Sequence, residues 1–152
     1  MYLLDTNHLS QLLAGDQRVV TRLTSLGSTP VATCAIVRGE LIFMAAKSEH
    51  RQANLRRVES LLQKLPIHPV DSESADWYGT LKAALIDHFG PKERAKRRRA
   101  TIASIGVSEN DLWVAAVAKR HGLVVVSTDD DFRRIQEVTD LVVESWLDMS
   151  PS

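Results

Sequence analysis

The chain has 152 residues, 44% of them hydrophobic and 25% charged, the size and makeup of one domain spanning 1–152 with its own core. Its 19 basic residues balance 19 acidic ones and its only cysteine is Cys34, which excludes an intrachain disulfide framework and a cysteine-rich zinc site. No apolar run approaches the roughly 18 residues that span a bilayer, and the start lacks the basic and apolar segments of a signal peptide, so a cytoplasmic protein with no membrane contact is expected.

Tyr2, Leu3 and Leu4 form a short apolar run, followed at once by Asp5, Thr6 and Asn7 and then by the helical spacing Leu9, Leu12, Leu13. That order predicts a buried strand, a turn at its carboxyl end and a helix. Residues 31–33 are a second strand, leading into an apolar helix through Ile36, Val37, Leu41, Ile42 and Phe43. Val58, Leu61, Leu62 and Leu65 mark a further helix, limited by Pro66, and residues 67–70 a strand. Asp71 or Ser72 is placed to cap a helix holding Trp77, Leu81, Leu85 and Ile86, which Gly90-Pro91 ends.

A basic segment, residues 91–100, follows as a helix of its own through Ile102, and Gly106 closes that unit. Ser108 opens a helix that is apolar on almost every side over residues 112–120, and such a helix belongs inside. After Gly122, residues 123–126 are a branched apolar strand of the kind covered on both faces in a parallel sheet, and residues 141–143 are a last strand ending near Trp146. Strands alternating with helices predict an α/β fold with a parallel sheet between helices. Right-handed crossovers then put every strand's carboxyl end on one edge, where ligands of such folds gather.

Three aspartates fall at that edge: Asp5 follows the first strand, Asp129 follows the valine-rich strand, and Asp111 begins the helix feeding it. Each has a plain alternative as a helix cap, since Asp5 or Thr6 precedes a helix and the pairs Ser108/Asp111 and Thr128/Asp131 have capping-box spacing. Glu40 has Ile36, Val37, Phe43 and Met44 three and four positions away, so it leaves an apolar helix face and needs a partner. That partner is either a buried arginine or a cation shared with the aspartates. Gathered carboxylates repel unless protonated or neutralised, and all-oxygen ligands suit Mg²⁺ or Mn²⁺. The five histidines, His8, His50, His68, His88 and His121, lack metal-ligand spacing and are read as ordinary surface or satisfied positions. Cys34, at the start of an apolar stretch, is read as a small buried side chain.

Charge is polarised although it sums to zero. Lys92, Arg94, Lys96, Arg97, Arg98 and Arg99 face the single Glu93, while Asp129, Asp130, Asp131, Glu137, Asp140, Glu144 and Asp148 crowd the C-terminal part. The basic run is either a phosphate-binding surface or a solvated helix face that meets an acidic partner.

The opening YLLDTN, the helix with GELIFMA, the block VSENDLWVAAVAKRHGLVVVSTDDDF and the ending LVVESW together resemble PIN-domain proteins, most closely the VapC-like toxins of type II toxin–antitoxin systems. The resemblance covers nearly the whole chain and implies a PIN-like three-layer α/β/α sandwich with a central, mainly parallel sheet of four or five strands. It implies a metal-binding, catalytic acidic centre of Asp5, Glu40, Asp111 and Asp129, supported by Thr6, Asn7, Asn110 and Ser127, with Asp131 holding the loop rather than the metal. It further implies a Mg²⁺- or Mn²⁺-dependent endoribonuclease, an RNA substrate gripped by basic side chains, a cognate antitoxin covering the cleft, and a homodimer. Two features depart from the usual member: the stretch between Trp77 and Asn110 is longer and contains the basic run, and Gly39 stands where a larger side chain is common.

Two other functions remain open on the residues. One is a binding module on the same fold, acting through RNA or a partner with little turnover. The other is a phosphatase or phosphoacceptor domain, against which stand Asn7, where such motifs carry a second acid, and the missing glycine-rich phosphate loop.

Overall fold

The five segments that the sequence marks as strands all join a single sheet. A computed structural model describes residues 1–148, with strands β1 (Tyr2–Leu4), β2 (Val31–Cys34), β3 (Ile67–His68), β4 (Val124–Val126) and β5 (Val143–Glu144), all parallel and ordered β3-β2-β1-β4-β5. Leu3 pairs with Ala32 on one side and Val125 on the other, so β1 is central. Leu3, Leu4, Val125 and Val126 are buried, as an inner parallel strand requires.

Helices α1 (Thr6–Leu13), α2 (Gln17–Ser25), α3 (Ala35–Ala46) and α4 (Arg51–Leu62) follow the first two strands; α5 (Ser72–Phe89), α6 (Arg94–Arg99) and α7 (Glu109–His121) fill the crossover from β3 to β4; and α8 (Asp131–Gln136) precedes β5. The result is a three-layer α/β/α arrangement. α7 is buried on nearly every side through Leu112 and Val114 to Ala118, and its small alanines let α5 pack closely along it. Gly122, at φ +64°, takes the left-handed cap that ends α7.

Several boundaries shift. The strand expected over 67–70 stops at His68, and the last strand lies at Val143–Glu144 rather than 141–143. The basic helix ends at Arg99 instead of continuing through Ile102, because Ala100 turns extended. A 3-10 turn, Ala103–Ile105, follows and anchors through buried Ile102, Ile105 and Val107. α2 has no counterpart in the sequence reading; Gly15 and an Asp16 cap that accepts from the Arg18 amide start it.

Strand order reverses direction between β1 and β4, so the carboxyl ends of those two strands border the crevice where ligands of doubly wound sheets bind. The C-terminal part is tied in by Trp146, which is buried, packs edge-on against Tyr2 with centroids 5.5 Å apart, and donates its indole N–H to Glu144 at 2.7 Å. Trp146→Ala is expected to lower stability by about 3–5 kcal/mol. In urea the midpoint should fall while the slope stays constant; a midpoint within error of the parent would show that this segment does not complete the core.

Candidate functional site

The sheet carries its hydrogen-bonding ladder up to the two loops that hold the acids. The Asp5 amide donates to the Val126 carbonyl at 3.0 Å, and the Ser127 amide donates to the Glu144 carbonyl at 3.0 Å. Asp5 sits at the cap position of α1, yet its side chain makes no capping bond. Its Oδ2 instead accepts the Ser127 hydroxyl at 2.7 Å, and that hydroxyl oxygen accepts the Asp129 amide at 3.1 Å. One serine therefore locks the two acidic loops together.

Asp111 is freed from capping in a different way. Ser108 does cap α7, accepting the Asp111 amide at 3.1 Å, but the reciprocal bond to the Ser108 amide comes from Asp131 Oδ2 at 2.8 Å. Asp131 thus closes the cap from another helix and leaves the Asp111 carboxylate available. The expected Thr128/Asp131 capping box does not form: the Asp131 amide donates to Asp129 Oδ1 at 2.9 Å, and Thr128 accepts from Asn7.

Asp5, Thr6, Asn7, Glu40, Asp111 and Asp129 line one open cleft of about 350 Å³, with no basic side chain among the described residues that line it. Asp5 is 4% and Asp111 7% exposed, Glu40 is half-buried and Asp129 exposed. Oxygens of Asp111, Asp129 and Asp131 lie within 4.8 Å of one another; Asp5 and Glu40 share the cleft but stand outside that tight group. Asp131, read from sequence as holding the loop, does so and also reaches the acidic group. Asn110, expected as a supporting residue, is exposed and makes no side-chain hydrogen bond among the described residues. Ser10, Gln11 and Met44 also line the cleft; the polar stripe Thr6, Asn7, Ser10, Gln11 at helical spacing was the signal for the first two.

Electrostatics follow from this crowding. Burial pushes the Asp111 carboxyl up to about 9, helped by the Asp5 charge and by Asp129. Burial, then the neighbouring Asp5 charge, raises Glu40, and burial also raises Asp5 against the lowering pull of Ser127. Glu40 has no arginine partner among the described residues; its Oε1 and the Thr6 hydroxyl are buried and make no hydrogen bond of normal length, although the hydroxyl is near enough to oppose the rise of the Glu40 carboxyl. An all-oxygen set holding orphaned buried acceptors fits a hard divalent cation of the Mg²⁺ or Mn²⁺ type.

The six cations of the basic run do not line the cleft. Lys96 pairs with Glu93 at 3.3 Å and Arg97 with Asp87 at 3.5 Å, whereas Lys92, Arg94, Arg98 and Arg99 are exposed with no ion pair among the described residues. Cys34 is buried, and its thiol is pushed up to about 11 by burial, as befits an inert core position.

A folded-state carboxyl raised above its ordinary 3.8 keeps its proton to higher pH than the unfolded chain does. The associated stability is complete below 3.8 and is lost as pH rises towards about 9. His8, pushed down to about 4 by burial, contributes no slope once pH exceeds its unfolded value of 6.5. Asp111→Asn is therefore expected to melt higher than the parent in chelator at about pH 8, and to lose less stability from about pH 7 to 9. Thermal melts across that range check it, and a lower-melting variant would refute the repulsion.

The PIN domain family profile matches residues 2–138. The chain is 26% identical to Ribonuclease VapC2 of Haemophilus influenzae over 146 residues, covering 96% of this chain and 98% of that protein. Among solved structures, DNA-bound VapBC from Salmonella typhimurium matches with a TM-score of 0.76 and 25% identity over 95% of this chain and 97% of its own. VapBC-5 from Mycobacterium tuberculosis, a member of the VapBC family of toxin-antitoxin systems, matches with a TM-score of 0.51 and 30% identity over 76% and 79%. With a matching profile across most of its length and its acids gathered at the crevice that this fold reserves for ligands, the chain belongs to the PIN domain family.

Proposed function

We propose that this chain is a divalent-metal-dependent endoribonuclease, acting as one nuclease domain in the cytoplasm and serving as the toxin of a type II toxin–antitoxin pair. The observation that carries the proposal is the cleft in which buried Asp5 and Asp111 meet half-buried Glu40 and exposed Asp129, with the Glu40 Oε1 and the Thr6 hydroxyl buried and without a hydrogen bond of normal length. Support comes from similarity to proteins named ribonuclease VapC over nearly the whole chain.

In this reading Asp5 and Asp111 are the primary ligands of Mg²⁺ or Mn²⁺, with Glu40 and Asp129 completing the set directly or through water. A bound divalent cation supplies Lewis acidity towards a phosphoryl oxygen and lowers the pKa of a water molecule. The Ser127 hydroxyl holds Asp5 Oδ2, which orients the other oxygen towards the cleft, and the α7 N-terminus favours the ionised form of Asp111. Burial of Asp5 and Asp111 keeps bulk water from screening the charge that develops on the phosphate. Since among the described residues no cationic side chain lines the cleft, the substrate backbone is gripped from outside it, by Lys92, Arg94, Lys96, Arg97, Arg98 and Arg99, of which four make no ion pair with a described residue.

The same reading includes a homodimer and an antitoxin that covers the cleft. A largely apolar groove of about 300 Å³, lined by Leu13, Leu41, Ala45 and Val58 and edged by Asn54 and Arg57, adjoins the cleft through the shared Ser10 and Met44 and supports such a partner. Phe43, the neighbour of Met44 in sequence, is 63% exposed.

Asp5→Asn is expected to reduce metal-dependent RNA cleavage by roughly 100-fold or more with an unchanged circular dichroism spectrum. Full activity in that variant would end the nuclease assignment. Replacing Arg94, Arg98 and Arg99 together by Gln should weaken RNA binding roughly tenfold and flatten the dependence of log K on log salt by about 2, leaving Mn²⁺-induced stabilisation intact. An unaltered salt slope would move the phosphate grip elsewhere.

A further inference from the structure

A chain of hydrogen bonds runs from the C-terminal segment to the acidic loop. The Trp146 backbone amide donates to His8 Nε2 at 3.0 Å in a fully buried contact. A backbone amide only donates, so Nε2 is unprotonated and the ring proton of neutral His8 sits on Nδ1. Nδ1 lies 2.8 Å from Asn7 Oδ1, which makes that oxygen the acceptor and turns the Asn7 amide nitrogen outward. Asn7 Nδ2 then donates to Thr128 Oγ1 at 2.7 Å. Every donor and acceptor in the series has one assignment. Burial, which pushes His8 down to about 4, keeps the ring neutral at physiological pH.

Thr128 stands between Ser127, which binds Asp5, and Asp129. The loop is thus held at two adjacent residues: Ser127 to the end of β1, Thr128 to the first turn of α1. We infer that His8 is a positioning residue of the acidic centre: by fixing the Asn7 amide it clamps Thr128, and so aims Asp129 at Asp111. The inference rests on the nuclease reading of the cleft for its effect on activity, though not for the tautomer it requires.

The decisive experiment has three arms. Nitrogen-15 NMR of metal-free protein should show His8 protonated at Nδ1 and bare at Nε2; the reverse tautomer overturns the relay whatever the protein's activity. His8→Gln keeps an acceptor where Nε2 lies but loses the donor to Asn7. It should weaken Mn²⁺ binding about tenfold and lower kcat similarly at unchanged KM for RNA, whereas His8→Asn, which restores a donor near the Nδ1 position, should recover most of that loss. Thr128→Val, at an exposed position, removes the acceptor without threatening the core and should reproduce the His8→Gln defect. Mn²⁺ affinity and kcat unchanged in both folded His8→Gln and Thr128→Val overturn the inference. A parent protein that binds no Mn²⁺ sinks the nuclease reading instead, with the tautomer still deciding the relay.

Discussion

Mutual repulsion among carboxylates brought to the crevice between β1 and β4 governs the rest of this molecule. Asp5, Glu40 and Asp111 are each taken out of water far enough to resist ionisation, and among the described residues no cationic side chain enters to relieve them. A fold that wanted only stability would place arginine or an apolar side chain there, since uncompensated buried charge is costly. The arrangement is stable when protons or a divalent ion supply the missing positive charge, and under the proposed function such an ion would make the cleft chemically useful.

The scaffold meets this constraint by assigning backbone and side-chain partners so that the acids are held but not neutralised. Ladder bonds fix Asp5 and Ser127, Ser127 joins the β1 and β4 loops, and Asp131 takes over the capping bond that would have occupied Asp111. The cap readings that competed with a functional role are thereby resolved by geometry. Ser108 and Asp16 are helix caps through their side chains, while Asp5 occupies a cap position and spends its carboxylate elsewhere.

Much of this was legible in the residues. The valine-rich β4 and the helix α7, apolar on nearly all sides, announced a sheet covered on both faces, and strand-then-Asp placed Asp5 and Asp129 on one edge. The isolated Glu40 on an apolar helix face was readable as a side chain in need of a partner, although Phe43 and Met44, taken as part of that face, are exposed. What sequence withheld are relations that span the fold. The Ser108–Asp131 bond joins residues 23 apart and the Asp5–Ser127 bond residues 122 apart, and no local pattern encodes either. α2 carries a short helical period of Val19, Leu23 and Leu26, but only Val19 is fully buried and Leu23 and Leu26 pack half-buried against the core, so its apolar face is narrow. His8 looked like one histidine among five until Trp146 and Asn7 were found on either side of its ring.

The central claim is that these distant acids form one cation site. Anomalous scattering from a crystal grown with Mn²⁺ tests it most directly. The account predicts an ion in the cleft coordinated by Asp5 and Asp111, with Glu40 and Asp129 in its immediate surroundings. Absence of an anomalous peak there at millimolar Mn²⁺, or an ion bound by other residues instead, would contradict it.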